Sequence, residues 1–172
     1  MKSLPIKIKQ NHHRRVREGL LSKAPASLSE FLAHLEFISD SSVIRYAAFP
    51  TWSDNDDNWT TTRGKVANWV KCDFSSWPEL MSDLHGVPLP YDCRGWLFFD
   101  PEGPYFRVGG TEFTEWIGVI ADFAAKENGH EFAWVGDDQD CGIIVEFEHT
   151  SFCKNDFTYC AWIADAESGP GE

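Results

Sequence analysis

No apolar run in this chain approaches the roughly 20 residues that a membrane-spanning helix requires, so contact with a membrane is not expected. The opening stretch MKSLPIKIKQNHHRR lacks a continuous apolar segment of the kind a secretory signal needs, which points to cytoplasmic residence. Cysteines number five, an odd count without framework spacing, as suits reduced thiols rather than a disulfide scaffold. Paired C-x-x-C knuckles are missing too. Cys141, His149, Cys153 and Cys160 fall at gaps of 8, 4 and 7, a spacing that gives a zinc site no support. There is no G-x-S-x-G elbow and no P-loop. The sequence therefore implies no metal, no cofactor and no catalytic residue.

Positive charge is also in short supply. Lys and Arg total 15 against 27 Asp and Glu, for a net charge of −12, and phosphate backbones would be repelled. The imbalance is uneven. Seven of the basic residues lie between Met1 and Lys23 beside a single acid, Glu18, which leaves 8 basic and 26 acidic residues beyond. A basic N-terminal arm over residues 1–23 thus precedes an acidic body over 24–166, with a flexible tail at 167–172. The arm suits a segment lying on the acidic body of its own or a neighbouring subunit better than a nucleic-acid contact. His12 and His13 within it read as solvated.

Aromatic side chains are plentiful, at 15% of residues with 8 Trp and 13 Phe. They serve a core or a ligand cavity equally well. Ile6 and Ile8 alternate with lysines, which predicts a short strand over residues 2–9. Ser27 and Glu30 form a capping-box pattern ahead of Leu28, Phe31, Leu32, Leu35 and Ile38, so a helix of about three turns is expected. Residues 43–49 read as a strand, and PTWSDNDDNWTTTRG as a loop. Strand 65–74, a short helix introduced by Ser76 and Pro78, and a hairpin built from GWLFF and YFRV come next. The clearest helix is TEFTEWIGVIADFAAKENG, capped by Thr111. Strands at about 131–136, 142–149 and 157–163 complete an antiparallel meander. The expected fold is α+β: antiparallel sheet with about two main helices on one face, and a possible βαββ-type half-repeat. This order resembles the two-fold layout of GyrI-like effector-binding domains, chiefly over GPYFRVGGTEFTEWIGVIADFAAKENGHEF. The resemblance implies a cleft that holds cationic aromatic compounds against a strand glutamate.

Two acidic clusters invite a calcium reading. An EF-hand loop needs oxygen ligands at its first, third and fifth positions, glycine at the sixth and glutamate at the twelfth. From Asp137, Cys141 falls at the fifth position. From Asp54, Trp59 replaces the glycine. Neither run is an EF-hand. Glu146 and Glu148 point to one face of their strand, about 6.5–7 Å apart, while Ile143, Val145 and Phe147 take the other, as a one-sided sheet predicts. Trp134 and Trp162 on flanking strands could wall a cation beside those glutamates, or simply pack the core. Val108–Phe113 places two glycines and Thr111 before a helix, a turn whose Glu112 and Glu115 disfavour an anion.

The expected function is a non-catalytic acidic binding protein of bacterial accessory-gene type, engaging a basic protein partner as an inhibitor or immunity protein does. Its contacts would be Asp137, Asp138 and Asp140, with Asp54, Asp56 and Asp57 as a second patch. One alternative is a binder of cationic aromatic molecules using Glu146, Glu148, Trp134 and Trp162. Another is an enzyme with a buried carboxylate near His149 or His85. Free sheet edges also allow homo-oligomers.

Overall fold

The computed structural model describes residues 4–38, 51–53, 58–61, 64–87, 92–100, 103–127, 131–138, 140–148 and 156–164. The first element corrects an expectation. Residues Leu4–Lys23 form one 20-residue helix, α1, where a short strand is read from Ile6 and Ile8. Two alternating isoleucines are too brief a signal against the helix-favouring run behind them. Pro5 falls in the first turn, where its missing N–H costs nothing. The chain then runs through Gln, Arg, Glu and Leu, all favourable in helices, to Lys23 in the last turn, beside the negative end of the helix dipole.

The C-terminal end of α1 and the residue after it are anchored. Leu20, Leu21 and Ala24 pack on the core. The Arg17 guanidinium lies 4.3 Å from the centre of the Phe37 ring and donates to the Ala33 carbonyl at 2.8 Å. Lys23 sits 3.9 Å from Glu127 of α4 (Gly110–Glu127). Gly19 is the weak point of α1: a methyl group added there meets nothing within 4 Å. Gly19→Ala should therefore raise stability by about 0.5–1 kcal/mol, read as a higher urea midpoint with an unchanged slope.

Helix α2 (Ala26–His34) begins after Pro25, with no side-chain cap, so Ser27 lies inside the helix and the capping box does not form. Leu28 and Leu32 are fully buried. The helix ends a turn earlier than its apolar spacing suggests, because Phe37 and Ile38 leave as strand β1 (Phe37–Ile38). Tertiary pairing overrides local periodicity here: Phe37 pairs Phe106 and Ile38 pairs Tyr105.

Residues 43–49 lie outside the described residues. The stretch expected as a loop holds two strands, β2 (Thr51–Ser53) and β3 (Asn58–Thr61), paired Trp52 to Trp59. Thr and Trp favour extended backbone when a partner strand is at hand. Strand β4 (Gly64–Phe74) and helix α3 (Trp77–Leu84) stand where expected, with Ser76 at the N-cap and Pro78 in the first turn. Strands β5 (Arg94–Phe98) and β6 (Tyr105–Gly109) make the expected hairpin. Helix α4 (Gly110–Glu127) starts one residue before Thr111. Its entrance is closed by the Glu112 carboxylate, which accepts from the Gly109 N–H at 3.1 Å. Strands β7 (Phe132–Gly136), β8 (Cys141–Glu148) and β9 (Asp156–Ala164) form the antiparallel meander.

All described pairings are antiparallel, in one sheet ordered β1-β6-β5-β7-β8-β9-β4-β3-β2. The fold is α+β, as expected, and the described residues hold four helices, two long (α1, α4) and two short (α2, α3). The half-repeat loses its first strand to α1. Leu28 and Leu32 of α2, Leu80 and Leu84 of α3, and the apolar stripe of α4 join one sheet face in a single core. The opposite face carries a second buried cluster of Trp96, Phe98, Tyr105, Ala133, Val135 and Trp162. Strand β7 is therefore buried on both faces, and its sequence FAWVG is apolar throughout. Strand β8 is closer to the one-sided pattern: Ile143 and Val145 are fully buried, Ile144 half-buried and Glu146 exposed.

Candidate functional site: an acidic cleft at the end of the sheet

Gly136 ends β7 and Cys141 opens β8, so Asp137, Asp138 and Asp140 lie in the connection between two paired antiparallel strands at the end of the sheet's centre. Two anchors hold its first residue. The Asp137 N–H donates to the Arg94 carbonyl at 2.8 Å. The Asp137 carboxylate accepts from the Arg107 guanidinium, which also lies 3.6 Å from Glu36 and 5.5 Å from the centre of the Trp96 ring. The Asp137 hydrogen bond is the main cause holding the Arg107 charge more firmly than usual. Asp138 is exposed and Asp140 half-buried.

This turn forms one wall of an open cleft of about 370 Å³. Cys93, Arg94, Gly136, Cys141 and Ile163 line it beside Asp137, Asp138 and Asp140. With Asp137 engaged by Arg107, the three carboxylates still outnumber the Arg94 and Arg107 guanidinium groups, an excess of negative charge suited to an ammonium or guanidinium group.

Inside the cleft, the Cys93 and Cys141 sulfurs are 3.6 Å apart. Burial is the main cause that raises both thiols above their usual range, and neighbouring acids, Asp92 and Asp137 for Cys93 and Asp140 for Cys141, add to it. Both sulfurs are protonated at neutral pH, which disfavours an activated cysteine nucleophile. Among the described residues, no group of three or more His, Cys, Asp or Glu is disposed to hold a metal ion.

Sequence spacing hides the thiol pair, since the two cysteines are 48 residues apart. They meet because β5 and β8 flank β7 on either side. Gly136 of β7 lies between them, and a methyl group there would come within 2.8 Å of the Cys141 sulfur.

The Trp and Glu residues expected to form a cation box do not come together. Trp134 pairs with Ile143, one residue out of phase with Ile144 and Glu146, so it faces the helices. It is fully buried, stacks on Phe113 with ring centres 5.5 Å apart, and donates its indole N–H to the Val108 carbonyl at 3.2 Å. Trp162 shares the face of Glu146 but pairs with Gly142, four residues up the strand, and is 1% exposed. Both indoles are core residues. Glu148 pairs its backbone with Asp156, and its side chain lies outside the described residues. Asp54, Asp56, Asp57 and His149 lie outside them too. His85 caps the C-terminal end of α3 and is exposed.

No helix among the described residues is long and apolar enough to cross a membrane. Compared with protein-family models, curated proteins and solved structures, the chain shows no match.

Proposed function

We propose that the chain is a non-catalytic binding protein whose acidic β7–β8 turn receives a basic protein surface. The observation that supports this most is the fixing of Asp137 to Arg94 and Arg107. Asp137 is thereby held on the sheet, which lowers the ordering entropy that docking there costs. Asp138 and Asp140 add their charge at the cleft. A net charge of −12 steers basic partners toward any such site. An inhibitor or immunity protein acting on a basic nuclease or toxin of bacterial accessory genes is the concrete version of this reading.

The double change Asp138→Asn with Asp140→Asn removes two charges and leaves the Asp137 anchors intact. It should weaken binding of a basic nuclease that co-purifies at low salt by roughly tenfold or more. It should also flatten the salt dependence of that binding. Titration calorimetry at two ionic strengths reads both. Unchanged affinity and salt slope in a folded variant would remove the turn from the interface.

A further inference from the structure

We propose that Cys93 and Cys141 form a reversible intrachain disulfide, a modification site that ties the entry of β5 to the first residue of β8 across β7. The inference holds whether or not the acidic turn receives a partner.

The two sulfurs are already in van der Waals contact at 3.6 Å. A disulfide bond of about 2.05 Å then needs an approach of roughly 1.5 Å. Gly136 supplies the room for that approach, because its missing side chain is the space the Cys141 sulfur occupies. The backbones on both sides are anchored: the Cys93 carbonyl accepts from the Gly110 N–H at 2.9 Å, and Cys141 begins a paired strand. Cys160 does not compete, since it pairs with Ile144 on the other face of the sheet.

Access is asymmetric. Cys93 is half-buried and Cys141 is 6% exposed, and both line the open cleft. A small-molecule disulfide such as oxidised glutathione can therefore reach Cys93 first. The Cys93 thiol gives its proton to solvent, and the thiolate attacks one glutathione sulfur. One glutathione thiolate leaves, and a mixed disulfide remains. Cys141 then loses its proton and attacks the Cys93 sulfur, expelling the second glutathione thiolate. Both leaving thiolates are protonated in water. Two protein thiols and one glutathione disulfide become one protein disulfide and two glutathione thiols. Raised thiol pKa values make both attacks slow at neutral pH and faster as pH rises.

The test uses the full chain, equilibrated in buffers of graded oxidised-to-reduced glutathione ratio. Free thiols are then blocked with iodoacetamide and the digest is mapped by mass spectrometry. The expected product is a Cys93–Cys141 cross-linked peptide, two hydrogens lighter than its reduced parts and fully reversed by excess reduced glutathione. Because the bond closes a long loop, native oxidised protein should resist thermolysin on the order of tenfold longer than reduced protein. Cys141→Ser should retain glutathione on Cys93, whereas Cys93→Ser should leave Cys141 unmodified in the native state. Absence of the cross-linked peptide at the most oxidising ratio, with circular dichroism unchanged, overturns the proposal. So does a stable glutathione adduct on Cys93 in the unaltered chain.

Discussion

Trp134→Ala is expected to lower the free energy of unfolding by about 3–5 kcal/mol, the range for deleting a buried indole. The side chain is 0% exposed and lies between the sheet and α4. Its upper face stacks on Phe113 at an interplanar angle of 15°. Its lower face rests on Gly95, where a methyl group would come within 2.7 Å of the ring and 2.6 Å of the Val135 carbonyl. Removal leaves a cavity that rigid strands cannot fill, and deprives the Val108 carbonyl of a donor. Trp134→Phe keeps an aromatic ring on Phe113 and should recover roughly half of the loss. Urea unfolding of the three proteins, with slopes compared, decides the matter. A loss below about 1 kcal/mol for the alanine variant would contradict the packing described.

The second large effect lies on the opposite face. Gly142→Ala should cost about 3 kcal/mol, the upper end of the overpacking range. A methyl group there would stand 2.5 Å from the end of the Trp162 indole and 2.9 Å from the Trp134 carbonyl. The carbonyl belongs to the central strand and cannot move without breaking its ladder. Trp162, at 1% exposure, has little room to turn aside. Near-ultraviolet circular dichroism should report a displaced indole alongside the lowered urea midpoint. Gly86→Ala is the matching control. Its nearest neighbour is a carbonyl at 3.4 Å, so its effect should be small. Equal losses at Gly86 and Gly142 would mean that the contact with Trp162 does not set the cost.

Much of the C-terminal half is legible from period and punctuation. In β8, Ile143 and Val145 alternate with Glu146, and the structure buries the first two and exposes the third. In α3, Ser76, Pro78 and Gly86 mark the ends in the chain itself. Legibility fails where the decisive partner is distant. Ile38 continues a helical stripe by spacing, yet its pairing with Tyr105 draws it into a strand. Ile6 and Ile8 mimic a strand, but the residues behind them propagate a helix. Trp134 and Trp162 sit on nearby strands, and only register reveals that they face opposite ways. The acidic turn is visible as three aspartates. The two thiols beside it are not, because neither position carries a local sign of the other.

The order of strands has a consequence for how the chain is made. The ribbon β2-β3-β4 is complete by residue 74, yet in the sheet β4 reaches β8 only through β9, at Asp156–Ala164. During synthesis that ribbon waits with an open flank until residues 156–164 have left the ribosome. A stop codon before Asp156 would strand it without its neighbour, leaving β4 and β8 as bare edges ready to pair between molecules.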